Sequence, residues 1–292
     1  MKEKYITIFT PTYNRASTLR RLYKSIKSQD YNDFEWLIVD DGSVDETAAV
    51  VKTFMDDASF AISYYRKNNG GKHTAHNYAL NKANGKYFFT VDSDDIIPAN
   101  ALSIMAKILA EVDIDNTICG IVGLKSYFDN SIIGRPFSYE RVSTLYQIHN
   151  DGEDGERSFI IRTDILRNFP FAEINGEKFL GEVYVYDKIS RQYGFIVKNM
   201  VLTLCEYQED GLSVNYANLL LKNPIGSSMI WIGRIDLSVS FKERLRYAIK
   251  YWTYYYFSPR KQRVKYSGLN SVLVGLCFIP GYIYYLYNRC KF

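Results

Sequence analysis

Over the first 110 residues, short apolar runs alternate with stretches of helical period. Tyr5–Thr10, Trp36–Val39, Ile62–Tyr65 and Tyr87–Val91 are rich in β-branched and aromatic residues, which predicts four buried strands. Between them apolar positions recur on single helix faces: Leu19, Leu22, Tyr23 and Ile26, then Ala48, Val51 and Phe54, then Ala75, Tyr78 and Ala79 with Lys82. A fourth helix runs from about Pro98, at an early helical position, through Leu102, Met105 and Leu109. Ser43-Val44-Asp45-Glu46 matches a capping box, which predicts that the Ser43 and Glu46 side chains open the second helix. Strand and helix in alternation predict an α/β chain with an open, mostly parallel sheet flanked by helices.

Beyond residue 110 the pattern becomes α+β: a run at Ile118–Leu124, a Gly- and Asp-rich loop from Asp151 to Gly155, a strand at Phe159–Arg162 and a helix through Val183, Tyr186 and Ile189. From about residue 216 it changes again, to a helical, aromatic tail holding Trp252–Phe257, the cations Arg260, Lys261, Arg263 and Lys265, and an almost wholly apolar stretch from Leu269 to Leu286. The expected organisation is therefore 1–110, 111–215 and 216–292. Eighteen residues is the lower edge of a membrane span. Asn270, Ser271 and the Pro280-Gly281 break argue against one. A helix pair packed on the protein or a partner and an interfacial anchor stay equally open, the flanking cations and tyrosines being what supports the anchor, and a span is the least expected of the three.

The 292 residues carry a formal charge of +4, too little to make nucleic acid the default partner. Cys119, Cys205, Cys277 and Cys290 have no metal-knuckle or disulfide-framework spacing, which predicts free thiols in a reducing compartment. After Met1-Lys2-Glu3-Lys4 the run from Ile6 to Phe9 is too short for the core of a signal peptide, so a cytoplasmic chain is expected.

Each of the four predicted strands ends in a polar cluster, and in an open α/β sheet the carboxyl ends of the strands form the ligand crevice. The clusters are Pro11-Thr12-Tyr13-Asn14-Arg15, Asp40-Asp41-Gly42-Ser43, Asn68-Asn69-Gly70-Gly71-Lys72-His73 and Asp92-Ser93-Asp94-Asp95. Three carboxylates within four residues repel one another unless a cation relieves them, and oxygen ligands suit Mg²⁺ or Mn²⁺. Asp41 can accept a hydrogen bond from a nucleobase or ribose. Thr12 and Tyr13 offer a hydroxyl and an aromatic face. Asn69 to Lys72 reads as a glycine turn with exposed amides and an ammonium suited to a diphosphate. His73 and His76 share a helix face, read as surface or packing histidines.

The ordered set FTPTYNR, LIVDDGSVDET, NGGKHTAHNYAL and FFTVDSDD resembles the family 2 glycosyltransferases of the GT-A fold. The resemblance covers residues 5–100 closely, 100–212 loosely and the tail scarcely. It implies transfer of a sugar from a nucleotide diphosphate, usually UDP, with inversion and with Mn²⁺ or Mg²⁺ held by the acidic loop. By the same resemblance Pro11, Thr12 and Tyr13 line the nucleoside pocket and Asp41 bonds the uracil. Lys72, Asp92 and Ser93 lie at the donor, Asp94 is the metal ligand, and Asp95 shares or replaces that role.

Inversion requires a base, which the family supplies from a Glu-Asp pair at a helix start. Here the stretch reads Phe179-Leu180-Gly181-Glu182-Val183-Tyr184, which makes Glu182 the candidate base without its second acid; Asp187 lies five residues on. The stretch Glu206 to Ser213 matches the family's diphosphate loop in placement, with Tyr207 or Asp210 where a histidine or arginine is usual. The expected acceptor is a surface-glycan or lipid-linked saccharide at the inner face of the cytoplasmic membrane, with peripheral contact through the tail. The alternatives are a nucleotidyl- or phosphotransferase on a similar sheet, or a silent nucleotide-binding scaffold; there is no GxxxxGK[ST] loop.

Overall fold

The computed structural model describes residues 4–112, 115–206 and 216–291. The first strand-helix alternation runs β1 (Lys4–Thr12), α1 (Ala16–Lys27), β2 (Phe34–Asp40), α2 (Thr47–Asp57), β3 (Ala61–Arg66), α3 (Lys72–Leu80), β4 (Gly85–Thr90) and α4 (Ala101–Val112). The chain continues with β5 (Ile118–Tyr127), β6 (Val142–Ser143), α5 (Leu145–Asn150), β7 (Arg157–Arg162), α6 (Thr163–Asn168), α7 (Val183–Ile189) and β8 (Gly194–Cys205). The helices α8 (Tyr216–Lys222), α9 (Pro224–Leu237), α10 (Phe241–Phe257), α11 (Ser271–Leu276) and α12 (Phe278–Lys291) follow. The residues form two compact units: the described parts of Met1–Pro170 with Ile189–Gln208, and those of Phe171–Lys188 with Glu209–Phe292.

In the first unit one eight-stranded sheet has the order β3-β2-β1-β4-β7-β5-β8-β6. β1, β2, β3 and β4 are mutually parallel, and β7 enters antiparallel between β4 and β5. Two reversals restore the direction, so β5 ends at the same rim as the first four strands. The expected mixed, mostly parallel α/β sheet is therefore present. Its core stacks Tyr23 of α1 on Phe54 of α2, with centroids 4.3 Å apart, above Trp36 of β2, whose indole N–H donates to Thr10 Oγ1 at 3.0 Å. Burying such rings supplies much of the apolar area that holds helices to a sheet.

Three local expectations change. The second helix begins at Thr47 without a Ser43–Glu46 capping box; instead Asp45 Oδ1 accepts the Thr47 N–H at 3.0 Å, and Asn14 N–H donates to Ser43 Oγ at 2.8 Å. Its buried face is Thr47, Val50, Val51 and Phe54, with Ala48 outside. The fourth helix starts at Ala101 rather than near Pro98, because Asn100 takes a positive φ of 57°. The unpredicted β8 carries Lys198-Asn199 in a register irregularity, Val122 pairing Val197 and Leu124 pairing Val201, so a polar bulge interrupts its strand pattern. Glu140 bonds both bulge residues, accepting from Lys198 Nζ at 2.9 Å and Asn199 N–H at 2.7 Å.

The second unit is helical. Glu177 accepts the Ile225 and Gly226 N–H groups at 2.7 and 2.8 Å, satisfying donors that α9 leaves open at its start. Ile235, Tyr247, Ala248, Tyr251, Val274 and Cys277 form its core. Gly281 brings α12 against α10, where a Cβ would stand 2.2 Å from Trp252 Cβ. No described helix is long and apolar enough to cross a membrane.

Candidate active site

The loops after the first four strands and the end of β5 are joined by one chain of polar contacts. Asn14 and Ser43–Val44 clasp each other: Asn14 N–H donates to Ser43 Oγ, and Val44 N–H donates to Asn14 Oδ1, both at 2.8 Å. The second loop turns at Gly42, with φ of 90° and only 3.1 Å from a would-be Cβ to Asn69 N, a geometry that favours glycine. Asp41 then gathers the third loop. Its Oδ1 accepts from Lys67 Nζ at 2.7 Å and Gly70 N–H at 2.9 Å, its Oδ2 from Gly71 N–H at 2.6 Å and Asn69 Nδ2 at 3.2 Å.

From the third loop Lys72, at the start of α3, reaches Asp92 Oδ1 at 2.5 Å. Asp95, buried, holds Lys125 of β5 at 3.0 Å. The acidic loop is pinned to β8 by reciprocal Ile96–Leu204 backbone bonds of 2.9 Å.

The electrostatics divide the three acids. Asp92 is lowered: desolvation works to raise it, and the ammoniums of Lys72 and Lys125 outweigh that. Lys125 is raised above the ordinary lysine range, because Asp95 and Asp92 overcome the burial that alone would lower it. Asp94 is raised, by burial and then by the charge of Asp92. It makes no ion pair among the described residues.

Pro11 and Thr12 are buried at the end of β1, while Tyr13 is 48% exposed and presents its ring at the rim. Thr12 Oγ1 is buried without a hydrogen-bond partner among the described residues, and such an atom is uncommon in a folded interior unless a ligand or water answers it. Ser93 is buried between the two outer acids. The amides of Gly70 and Gly71 are not exposed for a phosphate, contrary to the sequence expectation, since a buried carboxylate needs donors and Asp41 takes both. Sequence reasoning missed Lys67 and Lys125. A lone lysine ordinarily reads as solvated surface; the available signal was that Lys125 closes the apolar run Ile118–Leu124.

Among the described residues no group of three or more His, Cys, Asp or Glu side chains is arranged to hold a metal ion. Mg²⁺ and Mn²⁺ are commonly held by one or two carboxylates together with substrate phosphates, so Asp94 with Asp92 fits that donor set. Asp95 enters such a set only by releasing Lys125.

Two consequences are measurable on the unliganded chain. Asp41→Asn removes a charge that four donors share, and is expected to destabilise the fold by about 3 kcal/mol, the scale for breaking a buried pair. Thermal melting of the variant measures it; an unchanged midpoint contradicts the anchoring role. His76 packs edge-on against Phe9 and Phe88, and burial, then the charge of Lys72, lower it to about 3. Its unfolded value is near the ordinary 6.5, so between those values only the unfolded chain binds the proton. That contribution is complete above about pH 6.5 and falls by about 1.4 kcal/mol per unit as the pH drops towards 3. His76→Leu is expected to flatten the acid side of the stability profile, read from urea midpoints between neutral and mildly acidic pH.

Glu182 lies in the second unit, where its carbonyl accepts the Val185 and Tyr186 N–H groups at 3.0 and 3.1 Å and so opens α7. Asp187 on the same helix is buried in an ion pair with Arg234 at 2.6 Å. Tyr207 and Asp210 lie outside the described residues.

The family model described as Glycosyl transferase family 2 matches residues 7–168. The glycosyltransferase GlyG of Streptococcus pneumoniae serotype 4 is 27% identical over 196 residues, covering 62% of this chain and 64% of that one. The poly(ribitol-phosphate) beta-N-acetylglucosaminyltransferase TarS of Staphylococcus aureus is 33% identical over 107 residues, 36% of this chain and 19% of that protein. The chain thus matches less than two thirds of the length of either curated relative.

Among solved structures, S. aureus TarS 1–349 in complex with UDP-GlcNAc superposes with a TM-score of 0.63 at 19% identity, over 95% of this chain and 89% of that one. The mannosyltransferase PcManGT of Pyrobaculum calidifontis, in complex with GDP-Man and Mn²⁺, gives 0.58 at 18% identity, over 97% and 87%. At these identities the likeness is one of fold.

Proposed function

The chain belongs to glycosyl transferase family 2, and from that premise we propose that it moves a sugar from a UDP-linked donor, with inversion, onto a surface-glycan or lipid-linked saccharide at the inner face of the cytoplasmic membrane. The observation that supports this most is the unbroken run of contacts Asn14–Ser43, Asp41–Gly71, Lys72–Asp92 and Asp95–Lys125, which gathers every strand-end cluster at one rim. Tyr13 stacks on the base, Thr12 Oγ1 bonds the nucleoside, and Pro11 and Ser93 shape the pocket floor. Asp41 takes the uracil imide N–H in exchange for the Asn69 amide, the longest of its four bonds at 3.2 Å.

Asp94, with Asp92, would hold Mn²⁺ or Mg²⁺, which would neutralise charge on the departing diphosphate. Lys72 exchanges Asp92 for a phosphate oxygen of the donor, which leaves the Asp92 carboxylate available as one that would hold the cation. Glu182 accepts the acceptor hydroxyl's proton as the hydroxyl attacks the anomeric carbon.

The test is product identity. Incubated with UDP-sugars and a saccharide acceptor extract, the chain is expected to release UDP and form a glycoside of inverted configuration. Release of a sugar phosphate with UMP carried to the acceptor, or of UMP with the sugar phosphate carried to it, instead assigns the rim to nucleotidyl or phosphoryl transfer.

A further inference from the structure

The apolar stretch that ends the second unit faces two ways. Val274, Cys277 and Gly281 point inward onto α10, spaced three and four residues apart. A second stripe, Val272, Leu276, Ile279, Ile283 and Tyr287, follows the same helical spacing along α11 and α12, with Leu269 just before them, and is exposed, Ile279 at 66% and Ile283 at 61%. A helix apolar on both faces has a second apolar surface to satisfy. Beside the stripe Ile249, Pro280, Ile283, Tyr284 and Tyr287 line an open apolar cleft.

Charge decides what covers it. Residues 224–292 hold eleven Lys and Arg against two acids, whereas the preceding 223 hold twenty-five against thirty. All the chain's net positive charge therefore lies in the helical segment that carries the stripe. Arg260, Lys261, Lys265 and Arg289 are exposed within it. Two copies meeting through this segment bring a formal +9 against +9, which opposes a self-pair. An anionic lipid surface reverses that sign, and exposed tyrosines such as Tyr282 and Tyr284 suit a headgroup boundary, with the ring in apolar surroundings and the hydroxyl in water. Since no described helix is long enough to cross, the contact lies in the interface plane.

We propose that α11 and α12 seat on an anionic bilayer, the outward stripe entering the acyl boundary and the cations binding lipid phosphates. This deepens the location part of the proposed function and rests on that reading for its biological placement. Vesicle binding needs neither donor nor acceptor, so its failure leaves the donor chemistry standing.

The experiment is co-sedimentation of the full chain with vesicles of phosphatidylcholine alone or with one-third phosphatidylglycerol, at low and high salt. Binding at least about tenfold tighter to the anionic vesicles, weakened by salt, is expected. The exposed double substitution Ile279→Asn with Ile283→Asn is expected to weaken binding at least about tenfold while circular dichroism stays unchanged. Arg260→Glu with Lys261→Glu is expected to erase the anionic preference. A chain that stays in the supernatant with both vesicles overturns the proposal, as does one whose binding ignores the Asn pair. So does a dimer in sedimentation equilibrium that the Asn pair dissolves, which assigns the stripe to a second copy.

Discussion

Glu182→Gln is expected to lower kcat by about 10²–10⁴, the range over which a positioned general base contributes, while leaving UDP binding unchanged. Glutamine keeps the shape of the side chain. It also keeps the backbone carbonyl that accepts Val185 and Tyr186 at 3.0 and 3.1 Å, so α7 still starts where it did. What it cannot do is take a proton. The neighbouring acid offers no substitute, because Asp187 is buried against Arg234 at 2.6 Å and abandoning that pair leaves a guanidinium without its partner. Pre-steady-state transfer measured beside donor titration separates the two effects. A variant that transfers at the native rate removes Glu182 from the mechanism.

Asp94→Ala is expected to weaken Mn²⁺-dependent UDP binding by more than the roughly 10–100-fold that loss of an outer-shell partner costs a metal site. Of the three acids in the loop, Asp92 is answered by Lys72 at 2.5 Å and Asp95 by Lys125 at 3.0 Å. Asp94 is raised by burial and by Asp92, a strain that a divalent cation relieves. The melting temperature is a second readout: deleting a carboxylate that its surroundings disfavour leaves it unchanged or higher. Loss of metal-dependent binding together with loss of stability points to a structural role instead, and contradicts the assignment.

The first four strands and the rim were legible because each apolar run ends abruptly in acids, amides or glycine, and parallel order sends all those ends one way; β3 alone is not the buried strand expected, since it forms the sheet's edge and stays half-buried to exposed. Asp92, Lys72 and Asp95 meet charged partners at the rim. What sequence could not carry was which partner each group chooses. Asp41 reads as an acid available to a base, yet Lys67, Asn69, Gly70 and Gly71 converge on it, because a buried carboxylate draws every nearby donor. Lys125 sits at the end of β5, and only the reversal through β7 brings that end to the rim. β8 was hidden by its bulge at Lys198-Asn199. In the helical segment the apolar run was plain, but its division into an inner stripe at Val274 and Cys277 and an outer one at Ile279 and Ile283 depends on Gly281 drawing α12 onto Trp252.

The donor site is the centre of the account, and calorimetric titration of the intact chain with UDP, in Mn²⁺ and again in chelator, tests it most directly. Saturable binding in Mn²⁺ that chelator abolishes is the predicted result. Absence of UDP binding in either condition contradicts it.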